Sequence, residues 1–91
     1  MIKRMTIVKI DNKVSINGLP FEIDCSDLPS NFHAFQWYGD EGYGEEEWNG
    51  FPKPQNTQAD ISKYQTYVEL WNEKKVEYDA FWNEQKALSG L

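Results

Sequence analysis

The stretch FQWYGDEGYGEEEW, Phe35 to Trp48, gathers five carboxylates (Asp40, Glu41, Glu45, Glu46 and Glu47) among five aromatic rings and three glycines. Carboxylates this close could hold a hard cation, act as an acid–base pair, or form a charged surface for another protein. The spacing does not fit the twelve-residue calcium loop, which needs oxygen ligands at alternate positions and a closing Glu between two helices. If EEEW is a strand, Glu45 and Glu47 face one side and Glu46 the other, so the three cannot converge on one ion. The same alternation speaks against a glycosidase-type carboxylate pair. Gly39, Gly42 and Gly44 do not suit a phosphate cradle, because the acids in and beside the turn repel phosphate; they read as turn residues needing unusual φ.

Nucleophilic chemistry is no better served. The chain has one Cys, Cys25, and one His, His33. A reactive thiolate needs an electropositive setting, whereas Glu22, Asp24 and Asp27 surround this thiol in the sequence. No second His is present to build a zinc triad. The sequence thus predicts no catalytic residue, no metal and no cofactor, and a protein that is not an enzyme.

The totals agree with a small binding protein. A chain of 91 residues makes one domain, able to bury only about 60 to 65 % of its unfolded surface. Its net charge is −6, from fifteen acidic and nine basic side chains, which repels bare nucleic acid and anionic membranes. The aromatic fraction of 15 % is high, and Trp and Tyr dominate both cores and interfaces. MIKRMTIVKI is too charged, and its apolar part too short, for a signal peptide, and no run approaches the roughly 20 apolar residues of a membrane span. The expectation is a soluble protein made in the cytoplasm.

The elements that position these residues follow from periodicity. TIVKI, KVSING and LPFEI alternate and are separated by Asp11-Asn12 and Asn17-Gly18, the hairpin signature. Strands are expected over Thr6–Ile10, Lys13–Ile16 and Pro20–Ile23, followed by a loop, DCSDLPSN. Phe32–Tyr38 reads as a further strand pairing with Glu45–Trp48 across the glycine-rich turn. FPKPQNTQ, with Pro52 and Pro54, reads as a linker without regular structure. Residues 60–88 form a helix with Asp60 or Ser62 as N-cap and Gly90 as its stop. The fold class is α+β: β-rich residues 1–50, a proline-containing linker 51–59 and one long C-terminal amphipathic helix, all in a single domain.

On a helical wheel Tyr64, Tyr67, Leu70, Trp71, Tyr78, Phe81, Trp82 and Leu88 share a stripe about 120° wide; only Lys74 and Gln85 interrupt it. The helix also repeats itself: YVELWNEKKV, Tyr67 to Val76, returns eleven residues later as YDAFWNEQKA, Tyr78 to Ala87. Eleven residues are about three turns plus 20°, so Trp71 and Trp82 lie on one face about 16 Å apart. A helix of about 40 Å exceeds the about 30 Å diameter of a compact domain this size. Unless it breaks near Lys74-Lys75, about two turns must overhang, carrying exposed aromatics that normally have a partner.

The arrangement of a short strand, MTIVKIDNKVSINGLPFEIDCSDL, then HAFQWYGDEGYGEEEW, a proline link and a helix beginning YQTYVELWNEKK resembles small proteins encoded near the tail and tail-fibre genes of tailed bacteriophages. The matching positions are His33, Ala34, Gln36, Trp37, Gly39, Gly44, Glu45, Glu47, Tyr64, Gln65 and Trp71. The resemblance implies a phage protein without enzymatic activity, either a minor virion component or an accessory of tail or tail-fibre assembly, in the host cytoplasm or the virion.

Two readings are open on these residues. In the first the protein docks on a tail component, with self-association through the helix as an option; Tyr38, Tyr43 and Trp48 on the hairpin and Tyr67, Trp71, Tyr78, Phe81 and Trp82 on the helix are its contact candidates. Trp37, Trp48 and Trp71 are also candidates for the core between hairpin and helix. In the second, Asp40, Glu41, Glu45 and Glu46 mimic nucleic-acid phosphates and block a host defence complex of the anti-CRISPR or anti-restriction kind.

Overall fold

The computed structural model describes residues 1–89; the expected stop at Gly90 lies outside them. Six strands form one antiparallel sheet: β1 (Arg4–Val8), β2 (Lys13–Ile16), β3 (Leu19–Glu22), β4 (Phe32–Tyr38), β5 (Tyr43–Trp48) and β6 (Thr57–Gln58), in the order β3-β2-β1-β4-β5-β6. A 3₁₀ turn, Ile61–Tyr64, leads into the helix α1, Gln65–Ser89. The α+β class and the C-terminal helix expected from the sequence are what the chain adopts.

Asn residues set the hairpins. Asn12, Asn17 and Gly18 all have positive φ, and Asn17-Gly18 is the two-residue turn that pairs Ile16 with Leu19. The Asn17 amide oxygen accepts from the backbone N–H of Lys3 at 2.8 Å, and that of Asn12 from Cys25 N–H at 3.0 Å, so the turns also tie down the N-terminus and the β3–β4 loop. These turns shift the expected strands. β1 ends at Val8 rather than Ile10, because the Asn12 N–H closes a turn on the Lys9 carbonyl and leaves Ile10 exposed; β3 begins at Leu19. β5 starts two residues earlier than expected, at Tyr43.

The linker expected to be irregular contributes β6, whose Thr57 and Gln58 pair with Glu46 and Glu45. Among the three glycines of the β4–β5 hairpin only Gly42, at φ +61, needs a left-handed conformation. Gly44 has a packing reason instead: a Cβ there would stand 2.3 Å from the Ala59 carbonyl and 2.9 Å from the Phe35 ring.

Alternation buries one face of the sheet. Met5, Ile7, Val14, Ile16, Phe35 and Trp37 point to the helix layer, joined by Phe32, Cys25, Tyr64, Tyr67, Val68 and Trp71. The helix crosses the strands rather than following them. Tyr64 stacks on Phe35 of β4 at 4.2 Å, whereas Trp71 and Tyr78 meet Phe21 of the edge strand β3 at 5.4 and 5.5 Å. Beyond Tyr78 the sheet has run out, and every residue from Asp79 to Leu88 is exposed. The longest dimension is accordingly 59 Å against 27 and 17 Å for the others. The overhang is about three turns, one more than expected.

Candidate interaction surface

Two regions carry the residues singled out in the sequence, and the structure treats them differently. At the hairpin, Asp40 and Glu41 are exposed at the tip, with Tyr38 and Tyr43 half-buried beside them. The two tyrosines stack at 6.5 Å, and the Arg4 guanidinium lies 4.4 Å from the Tyr38 ring centre. The Tyr43 hydroxyl donates to Glu45 at 2.6 Å. That bond, with the neighbouring negative charges, pushes the phenol pKa up. Asn56 donates to the other Glu45 oxygen at 3.3 Å. Here an acidic, aromatic face borders solvent.

Glu46 is not part of it, which corrects its place among the acids expected to mimic phosphates on the surface. Its neighbours across the strands, Phe35 and Thr57, place it on the inner face, and it is only 3 % exposed. Lys63 reaches it at 2.5 Å, the Tyr64 hydroxyl donates to the same oxygen, and Thr57 donates to the other at 2.7 Å. Trp48 in turn donates its indole N–H to the Thr57 hydroxyl at 2.8 Å. Burial alone would push the carboxyl pKa up, but the hydrogen bonds from Lys63, Tyr64 and Thr57 and the lysine charge outweigh it and hold it below the ordinary value. Burial, reinforced by Glu46, pushes the Tyr64 phenol far up. This cluster bolts the start of the helix to β5 and β6; a buried carboxylate is tolerable when both its oxygens have donors and a cation answers its charge. Sequence alternation does put Glu46 opposite Glu45 and Glu47, but only the inward Phe35 beside it reveals which side is the core.

Tyr67 and Trp71 are likewise corrected as contact candidates. Both are buried in the chain's own interior, and the Trp71 indole N–H donates to the Leu19 carbonyl at 2.8 Å. The core role foreseen for Trp37 and Trp71 is what they have; Trp48 is half-buried, edge-on to Phe32 at 5.7 Å.

Tyr78, Phe81 and Trp82 fare as expected and stay on the surface. Tyr78 is 37 % exposed, Phe81 52 %, Trp82 53 % and, further along, Leu88 58 %. Their rings continue the core outward: Trp71 to Phe21, Phe21 to Tyr78, Tyr78 to Trp82 at 6.1 Å and Trp82 to Phe81 at 5.5 Å. Phe21 is the residue the sequence reading did not single out. Its signal was its alternation with Leu19, two residues apart on one face.

Cys25 and His33 are not brought together with each other or with either region. Cys25 is fully buried with its thiol donating to the Ile23 carbonyl, and burial, then the Asp24 charge, pushes its pKa up, the reverse of a nucleophile's setting. His33 is exposed. Among the described residues no three His, Cys, Asp or Glu side chains converge on a metal position, and no helix is long and apolar enough to cross a membrane. Comparison with protein-family models, curated proteins and solved structures gives no match.

Proposed function

We propose that this protein is a non-enzymatic assembly protein of a tailed bacteriophage, a minor tail component or an accessory of tail or tail-fibre assembly, made in the host cytoplasm and acting by protein–protein contact. The phage setting rests on the sequence resemblance. The observation that carries association as the activity is the aromatic stripe on the overhang: three turns of helix projecting past the sheet with Phe81 and Trp82 half exposed. Ordering such a helix without covering its apolar face contributes nothing to the stability of one chain, and exposed aromatic patches of this kind mark contact sites.

The reading in which the hairpin mimics phosphates and inhibits a host defence complex has less beneath it, since Glu46 is bound inside the fold and Glu45 is held by Tyr43 and Asn56. Co-purification of the tagged protein from infected cells tests the proposal. Tail proteins are expected with the intact chain and should be lost when residues 79–91 are removed. Recovery of a host nuclease or interference complex instead, abolished by Asp40→Asn with Glu41→Gln, would replace the proposal with the inhibitor reading.

A further inference from the structure

We infer that the overhanging stripe is covered by the same stripe of a second copy, the two helices running antiparallel, so that the working unit is a dimer with its two acidic hairpins at opposite ends. The inference deepens the association reading above and rests on it. Three features of the structure point to this occupant.

The first is what the β3 edge excludes. Beside a two-residue turn the flanking pair, Ile16 and Leu19, is the hydrogen-bonded one, so the next residue, Pro20, turns its backbone nitrogen away from β2, and that nitrogen carries no hydrogen. Edge prolines of this kind block strand addition. The space beneath the overhang is therefore not the place for an added strand, although its roof continues the chain's own core through Phe21, Tyr78 and Trp82.

The second is shape. The helix lies one layer above the sheet, and past β3 the lower layer is missing. The gap is about 10 Å deep, which is the spacing of two packed helices, and about 15 Å long. A second overhang has the same length and fits it when a two-fold axis passes near Trp82. Each helix tip then abuts the partner's β3 edge. A parallel pair is ruled out on the same geometry, because each chain's sheet would occupy the space under the other's first turns.

The third is the distribution of charge. In an antiparallel pair like flanks meet. One flank of the stripe carries Lys75, Asp79 and Lys86, and the other Phe81 and Leu88, with Glu77 and Glu84 further round. With Trp82 opposite Trp82, Asp79 of each chain, already bound to its own Lys75 at 2.6 Å, comes within one residue of Lys86 of the other. The apolar flank closes on itself. At about 150–250 Å² per aromatic ring, the exposed parts of Tyr78, Phe81, Trp82 and Leu88 amount to roughly 400 Å² per copy. Two copies with their flanking stems reach about 1,000 Å², the lower end for a specific contact. The pair is expected to dissociate in the micromolar range.

Sedimentation of the purified full chain from about 5 to 500 µM reads this directly, with the mean mass expected to climb from one chain toward two. Phe81→Ser with Trp82→Ser should weaken association at least about tenfold and leave the thermal midpoint at 5 µM unchanged. A spin label on Lys74→Cys should report a separation of about 25 Å or more in the dimer, since residues 74 stand sixteen positions apart along an antiparallel pair centred on Trp82. A monomer at every concentration, a dimer indifferent to the double substitution, or labels within about 12 Å, as side-by-side parallel helices would place them, would each overturn the inference. If the chain is monomeric but the double substitution still removes tail proteins from the pull-down, the dimer falls and the proposed function stands. If it dimerises but recovers no tail protein, the reverse holds.

Discussion

The helix contains the same sentence twice, and the two copies have opposite fates. Tyr67 and Trp71 of the first are buried, with the Trp71 indole bonded to the Leu19 carbonyl; Tyr78 and Trp82 of the second, on nearly the same face, are exposed. Local sequence is alike in YVELW and YDAFW, so propensity and amphipathicity do not separate them. What separates them is the sheet, which is four strands wide from β4 to β3 and ends there. An aromatic side chain is buried or exposed according to whether the chain supplies a surface beneath it, and past the Phe21–Tyr78 contact this chain supplies none for the second copy.

Exchanging Trp for Ala in each copy separates the two fates by the largest margin. Trp71→Ala removes a buried indole and leaves the Leu19 carbonyl without its donor, and is expected to cost about 3–5 kcal/mol in urea unfolding. Trp82→Ala, measured at low micromolar concentration, is expected to cost no more than about 0.5 kcal/mol. Similar losses at both sites would show that the second copy is packed within the chain.

Next in size is the bolt that holds the first copy down. Glu46→Gln keeps an acceptor for Tyr64 but loses the charge that Lys63 answers, and should cost about 1.5–3 kcal/mol. The pH dependence follows with a definite sign. A carboxylate held below its ordinary pKa in the folded state stabilises the fold above its unfolded pKa, here about 4.5, and that stability is lost as pH falls through the folded value. The native chain should therefore lose stability more steeply from pH 5 to pH 3 than Glu46→Gln does. Parallel acid profiles would remove Glu46 as the anchor.

The smallest effect comes from removing the overhang itself. A chain ending after Tyr78 keeps every ring contact of the helix with the sheet, and its unfolding midpoint should stay within about 1 kcal/mol of the intact protein at the same dilute concentration. A collapse of stability on truncation would mean that the overhang packs on its own sheet.

Much of this architecture could be read from the residues. Asn17-Gly18, with alternating neighbours, announced a hairpin, the eleven-residue echo placed Trp71 and Trp82 on one face, and the length of the helix announced the overhang. Glu46 was misplaced because charge argued for solvent while alternation argued only for a side. Three donors from Thr57, Lys63 and Tyr64 decide the matter, and they come from segments eleven to eighteen residues away. β6 was missed because two residues carry no periodicity and follow a segment with two prolines; pairing with β5, not local preference, makes them a strand. The division of the aromatic stripe into buried and exposed halves was legible as a length argument, but which half overhangs depends on the helix crossing from β4 toward β3, a tertiary choice fixed by Tyr64 stacking on Phe35.

Amide hydrogen exchange along α1 at several protein concentrations reads both copies in one molecule. Residues 67–76 should be protected to the same degree at every concentration, covered by their own sheet, whereas protection of residues 78–87 should be low in dilute solution, rise with concentration and vanish with Phe81→Ser and Trp82→Ser. Equal, concentration-independent protection of both copies, or a second copy that stays unprotected at hundreds of micromolar, would contradict the account.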